Sequence, residues 1–341
     1  MNTTLAGLLL YAVTACLGSG LLFLPCAALA EWIPRRRPSG EAYAWFAALA
    51  LPHLGAAACA IYAVRLHALD PVPWETRAHA LRHLSFWWIA NAPDAAYRAR
   101  FVALVAAGVV LVGLLRPLLS AGLSWRYARL LARSSTEIPE LGVWLTPLDR
   151  PWSTCVGFFR SRVYLTRGLA ELLDPDELSA VIAHEHAHAR RRDNLRLLLA
   201  QAIFGPTIIL PTAHYFHRRL QGGLERAADR EAVRRGTDGQ GLAAALVKAA
   251  RKLREFSGDA EDEPLRRRLA DRYREEFVAE RARLLLDAAG EASEPSPLSR
   301  RVTMLVPAVL MVVLTAIGAG LVAPTVRSFF ESVLAALQGA H

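Results

Sequence analysis

Long uncharged apolar stretches divide the chain into segments. Three of them contain no Asp, Glu, Lys or Arg: Asn2–Ala30, Ala42–Val64 and Val302–Val326. Each is long enough to cross the hydrocarbon core of a bilayer as a helix, which takes about 20 residues. A further stretch, Phe101–Leu123, is interrupted by Arg116, whose long side chain can snorkel or face protein. The pattern predicts three transmembrane helices within residues 1–124, then a final one with a short tail within 301–341.

Residues 125–300 are more polar, and their pattern predicts a separate domain. Three short stretches have the composition of strands: Gly142–Thr146, Cys155–Phe159 and Arg162–Thr166. After them Asp174 is placed to cap a helix, with Pro175 at the first helical position and Glu177 at the third. An apolar stripe at helical spacing continues to Ala189, and three arginines follow where the helix dipole favours cations. A helix of about five turns is therefore predicted here.

Composition supports an integral membrane protein. The chain is 53% hydrophobic and has a formal net charge of +9. Its mean hydropathy is positive, which is unusual for a soluble enzyme. Because many basic residues lie near the predicted spans, anionic lipid headgroups explain the charge better than direct nucleic-acid binding. The four cysteines form no visible disulfide framework, in agreement with a cytoplasmic catalytic side.

The predicted helix carries the sequence His184-Glu185-x-x-His188. Helical residues four apart lie on one face, so the two imidazoles can bind one Zn²⁺ ion. Glu185 follows the first imidazole, where its carboxylate can take a proton from an attacking water. The alternative is a pair of solvated histidines with a coincidental glutamate.

A catalytic zinc that keeps one position open needs a third protein ligand. Glu225 is the best candidate, in a second predicted helix from Leu224 to Arg235. Asp229 lies four residues later on the same helix face and can hydrogen-bond an imidazole that binds the metal, which would fix the tautomer of that imidazole. The alternatives are an ion pair between Glu225 and a nearby arginine, either Arg190 or Arg192, and a plain surface charge for Asp229.

Several neighbouring polar residues allow two interpretations. His186 points away from the two paired histidines and is expected to be structural. Asp193 and Asn194 can orient a ligand or simply end the helix. An oxyanion stabiliser is not evident, and three residues that could serve are expected to be interfacial anchors: His214, Tyr215 and His217.

The apolar segment 197–216 lies between the histidines and Glu225. If these residues bind one metal they are on one side of the membrane, so the segment cannot cross once and is too short to cross twice. Pro206, Pro211 and Gly205 favour a bend. We therefore predict a re-entrant or interfacial element.

The first loop after the first span is short and basic, with arginines at 35–37, and such loops stay in the cytoplasm. Following the spans from there, residues 125–300 are cytoplasmic. The sequence thus predicts a multi-pass protein of the inner (cytoplasmic) membrane, with its catalytic domain on the cytoplasmic face.

The stretch from Gly142 to Arg235 resembles the antirepressor metallopeptidases of the BlaR/MecR type, which are membrane-embedded zinc gluzincins. The resemblance is carried by Gly157–Leu165, by Leu178–His188 with Arg191–Leu195, and by Glu225 with Asp229. It implies an α+β membrane protein, mostly helical, with transmembrane helices and a zincin-like catalytic domain carrying a small β-sheet.

The same resemblance implies zinc bound by His184, His188 and Glu225, with Glu185 as the general base. It implies self-cleavage and cleavage of a DNA-binding repressor as the regulatory activity. We expect no external penicillin-binding sensor, because little chain follows the last predicted span. The alternatives are a protease of the HtpX or CAAX-processing type, acting in quality control or processing, and a non-catalytic membrane signalling receptor.

Overall fold

The computed structural model describes residues 41–69, 95–207, 210–255 and 275–288, together with residues 15, 27, 28, 31 and 32. The chain divides into two compact units. The first comprises Met1–Leu118, Leu199–Arg219 and Pro297–His341, and the second comprises Leu119–Leu198 and Leu220–Ser296. The final predicted span lies outside the described residues, as does nearly all of the first.

Two long helices coincide with the predicted second and third spans: α1 (Glu41–Leu69) and α2 (Ala95–Ser134). Within the described part of the chain, the window Ala107–Ser134 is long and apolar enough to cross a membrane, by length and composition. Of an 18-residue apolar window within this segment only 17% is buried, so its apolar side chains are largely exposed. The protein is thus mostly helical with an apolar candidate span, and the multi-pass topology stays a prediction.

The segment 197–216 is not one continuous helix. Helix α5 (Asp193–Phe204) is followed by a 3₁₀ turn (Gly205–Thr207), and α6 (Pro211–Arg234) begins four residues after that turn ends. A Cβ atom at Gly205 would lie 2.3 Å from the carbonyl oxygen of Gly113, so the two backbones meet at a position that only glycine fits. The re-entrant or interfacial placement of the segment stays a prediction.

The second unit contains a four-stranded mixed sheet of order β1-β2-β4-β3. Its strands are β1 (Thr136–Ile138), β2 (Val143–Thr146), β3 (Ser153–Val156) and β4 (Arg162–Thr166). Strands β2 and β4 are parallel, and the two outer pairings are antiparallel. The sequence pattern does not predict β1. It places the strand at Cys155–Phe159 too late, because the backbone turns at Gly157, where φ is +118°.

Besides the parts of α2, α5 and α6 that fall within it, the described part of this unit has four helices: α3 (Arg167–Leu172), α4 (Pro175–Arg191), α7 (Gly239–Glu255) and α8 (Glu275–Ala288). Helix α4 begins with a capping box, in which Asp174 accepts from the Glu177 amide and Glu177 accepts from the Asp174 amide. Apolar side chains of the sheet, α3, α4, α7 and α8 form one core, including Val163, Leu169, Val181, Leu242 and Leu285. This packing fixes α4 against the sheet.

Candidate metal centre

Two imidazoles of α4 face each other across one helical turn. The Nε2 atoms of His184 and His188 are 3.1 Å apart, and the rings meet edge to face. Both side chains are buried. The i,i+4 spacing therefore places two nitrogen atoms that can bind a metal side by side, as the sequence predicted.

Helix α6 brings the carboxylate of Glu225 to the same point. Its Oε2 lies 3.4 Å from Nε2 of His184, and its Oε1 lies 3.5 Å from Nε2 of His188. The ligand atoms of all three residues lie within 4.8 Å of one another. Ligand atoms of a tetrahedral zinc with bonds of about 2.0–2.2 Å lie about 3.3–3.6 Å apart, so the three side chains are close enough together to share one zinc ion.

The second nitrogen of each imidazole contacts a buried aspartate. Nδ1 of His184 lies 2.8 Å from Asp229 Oδ1, and Nδ1 of His188 lies 2.9 Å from Asp193 Oδ2. A carboxylate at Nδ1 favours the tautomer that carries its proton there, which leaves the Nε2 lone pair free for a metal. Of the two roles that the sequence left open for Asp193, the geometry favours the orienting one.

The start of α5 is fastened to the sheet. Asn194 Nδ2 donates to the carbonyl oxygens of Cys155 (2.7 Å) and Gly157 (3.2 Å), at the end of β3. The adjacent Asp193 is also paired with two arginines, Arg191 and Arg196. These contacts hold Asp193 beneath His188.

Glu185 is almost fully buried, with 1% of its surface exposed. Its Oε1 accepts a 2.8 Å hydrogen bond from Ser153 Oγ, the first residue of β3. Ser153 was not identified from the sequence. Nothing in a lone serine 32 residues upstream points to it, since the contact depends on how β3 packs on α4.

Arg281 on α8 is a second residue that sequence reasoning missed. Its Nε and Nη2 donate to the two oxygens of Asp229 at 2.8 and 2.6 Å, and its Nη1 lies 3.1 Å from Glu225 Oε2. Burial alone would raise the pKa of Asp229, but Arg281 and, to a smaller extent, His184 outweigh it and hold that pKa below its usual value. The ion pair of Glu225 is thus with Arg281, and Arg190 instead lies 3.9 Å from Glu231.

The remaining polar candidates lie elsewhere. His186 Nε2 is 3.1 Å from the carbonyl oxygen of Leu141, a structural contact. In the first unit, Tyr215 donates to Glu31, while the rings of His214 and His217 contact Phe204.

Comparison with known proteins bears on this cluster. Residues 153–303 match the model of peptidase family M48. The chain is similar to a protein named Protease HtpX homolog from Aquifex aeolicus, 36% identical over 97 residues, covering 28% of this chain and 32% of the relative. It is also similar to the protein of that name from Salinibacter ruber, 30% identical over 141 residues, covering 33% of this chain and 51% of the relative. The protein of that name from Thermoplasma acidophilum is 38% identical over 78 residues, covering 22% of this chain and 23% of the relative.

These matches support a membrane-associated metalloprotease. The family match begins at Ser153 and includes the two histidines, Glu225 and Asp229. The chain spans between about a quarter and a half of the length of the relatives it matches. The family match covers the segment that contains the candidate metal centre, and the relatives named are of the HtpX type rather than the BlaR/MecR type.

Proposed function

We propose that this chain is a zinc-dependent metalloendopeptidase that hydrolyses peptide bonds in protein substrates at the cytoplasmic face of the membrane. The observation that supports this most directly is the convergence of His184, His188 and Glu225, whose ligand atoms lie within 4.8 Å of one another, close enough to hold one metal ion. The neighbouring buried carboxylate of Glu185 supplies the proton acceptor that such a reaction needs.

The residues of the candidate centre have distinct roles in the proposed hydrolysis. His184, His188 and Glu225 would hold the zinc ion, which when bound would polarise the scissile carbonyl and lower the pKa of water. The Glu185 carboxylate takes a proton from the water whose oxygen attacks the carbonyl carbon, then gives that proton to the amine nitrogen as the C–N bond breaks. Asp229 and Asp193 keep the Nδ1 protons of the two imidazoles in place throughout.

An extended substrate has a suitable strand beside the centre. Among the described strands, β3 lies at an edge of the sheet, and its first residue contacts Glu185. A peptide that adds to this edge is held by backbone hydrogen bonds, with little dependence on its side chains. We propose that β3 binds the substrate backbone in this way.

The comparisons favour an HtpX-type role, in quality control or processing of membrane proteins, over the antirepressor role. The antirepressor role, with cleavage of a DNA-binding repressor or of the chain itself, is a second candidate supported by the resemblance at Gly157–Leu165. For either role we propose a multi-pass chain in the inner membrane with its catalytic domain in the cytoplasm.

The decisive experiment uses the full chain purified in detergent. We expect about one zinc per chain by elemental analysis and zinc-dependent cleavage of an unfolded protein substrate, with Glu185→Gln as the inactive control. Absence of zinc, or equal cleavage by Glu185→Gln, would overturn the proposal. Cleavage of a winged-helix repressor encoded beside this gene, without cleavage of unfolded membrane proteins, would favour the antirepressor role.

A further inference from the structure

Helix α8 contributes a buried guanidinium to the candidate metal centre. Only 1% of Arg281 is exposed, and its three contacts reach Asp229 and Glu225. We propose that Arg281 is a positioning residue that aligns both carboxylates of the centre and thereby sets its affinity for zinc. This inference rests on the proposed zinc-peptidase function, which it deepens.

The contacts to Asp229 fix the direction of that carboxylate. Asp229 Oδ1 is shared between Arg281 Nη2 at 2.6 Å and His184 Nδ1 at 2.8 Å, while Oδ2 accepts from Arg281 Nε. A bidentate guanidinium–carboxylate pair restricts rotation about both partners. With Asp229 fixed, the His184 ring is held with Nε2 towards Glu225.

The contact to Glu225 fixes the third ligand. Arg281 Nη1 lies 3.1 Å from Oε2, the same oxygen that faces His184, so Oε1 is left facing His188. The guanidinium also offsets the repulsion between the buried carboxylate of Asp229 and the partly buried carboxylate of Glu225, which would otherwise push Glu225 away from Asp229. The guanidinium also withdraws some electron density from Glu225, which by itself weakens that ligand. When Arg281 is replaced, the loss of alignment is expected to outweigh this effect, because replacing a residue that hydrogen-bonds a metal ligand typically lowers metal affinity about 10–100-fold.

Arg281 reaches the centre from a different element than the ligands. Helix α8 carries it 52 residues beyond Asp229 and packs its apolar face, including Val278, Ala282 and Leu285, into the core that also holds α4 and α7. A second ion pair joins α8 to α6, between Arg226 and Glu280, and does not touch the metal ligands. Substitutions in these two ion pairs can therefore distinguish an effect on metal binding from an effect on the packing of α8 against α6.

The test measures zinc affinity by competition with a chromogenic chelator, on the full chain in detergent with Glu185→Gln present to prevent self-cleavage. Arg281→Gln is expected to weaken zinc binding about 10–100-fold. Arg281→Lys keeps the positive charge but not the paired donors of the guanidinium, and its zinc affinity is expected to lie between those of Arg281→Gln and the unsubstituted chain. Glu280→Gln is the matched control, since it breaks the other ion pair of the same two helices and should leave affinity unchanged.

A double-mutant cycle shows whether Arg281 acts through Asp229. Asp229→Asn alone should also weaken zinc binding, and combining it with Arg281→Gln should cost less than the product of the two losses. Unchanged affinity in Arg281→Gln, or equal losses in it and Glu280→Gln, would overturn the proposal. If Arg281→Gln does not fold, as judged by circular dichroism, Arg281→Lys decides, and wild-type affinity in that variant overturns it. Failure of the unsubstituted chain to bind zinc would instead contradict the proposed function.

Discussion

Ser153 and Glu185 are joined by a 2.8 Å hydrogen bond between two buried side chains that are 32 residues apart in sequence. The bond connects the edge strand β3 to the residue proposed as the general base. It leaves the base with a restrained carboxylate, because the Ser153 hydroxyl donates to Oε1. Alignment of the edge strand proposed to bind substrate and alignment of the proposed base thus depend on the same contact.

Ser153→Ala is expected to lower kcat without loss of zinc. A hydrogen bond to a charged carboxylate contributes about 1.5–3 kcal/mol, so a reduction of about tenfold or more is expected. Steady-state cleavage of an unfolded protein, with zinc content measured in parallel, checks this. Thr154→Ala, at the next position of the same strand, is the control. Equal kcat in Ser153→Ala and the unsubstituted chain would show that the contact does not align the base.

Asp193→Ala is expected to weaken zinc binding by about 10–100-fold, because it removes the carboxylate that orients His188. Asp193→Asn keeps an oxygen that can accept from Nδ1, so a smaller loss is expected. The chelator competition assay compares the two variants directly. If Asp193→Asn lost as much affinity as Asp193→Ala, the negative charge rather than the hydrogen bond would be responsible.

The predictable parts of the site are those that rest on local spacing. The capping box of Asp174 with Glu177 and the i,i+4 pair His184 and His188 each follow from a few adjacent residues. Glu225 could be proposed because zinc chemistry requires a third ligand on a nearby helix. The cap and the histidine pair depend on residues within about one helical turn of each other, and the expectation of a third ligand depends on the coordination number of zinc.

The unpredicted parts rest on contacts between distant segments. Ser153 and Arg281 carry no local signal, since a serine in a strand and an arginine in a charge-rich helix are common. β1 is a strand of three residues, too short for periodicity to reveal. The strand expected at Cys155–Phe159 is shifted because the positive φ of Gly157, which ends β3, cannot be inferred from composition.

Asp174→Ala is expected to destabilise the catalytic domain by about 1 kcal/mol, because it removes the side-chain acceptor at the start of α4. For a domain of this size the midpoint of thermal unfolding should fall by about 2–4 °C. Differential scanning fluorimetry measures the shift. Asp176→Ala, exposed two residues later in the first turn, is the matched control and should change the midpoint less. Equal shifts in the two variants would mean that the cap does not stabilise the helix.

Gly205→Ala is expected to destabilise the first unit, and Gly108→Ala is not. A Cβ at Gly205 would lie 2.3 Å from the Gly113 carbonyl oxygen, so the backbones must separate and the thermal midpoint in detergent should fall. A Cβ at Gly108, in the same helix as Gly113, meets nothing within 4 Å. Because alanine is favoured over glycine within a helix by up to about 1 kcal/mol, Gly108→Ala should leave the midpoint unchanged or raise it. A midpoint for Gly205→Ala as high as that for Gly108→Ala would contradict the close approach of the 3₁₀ turn to α2.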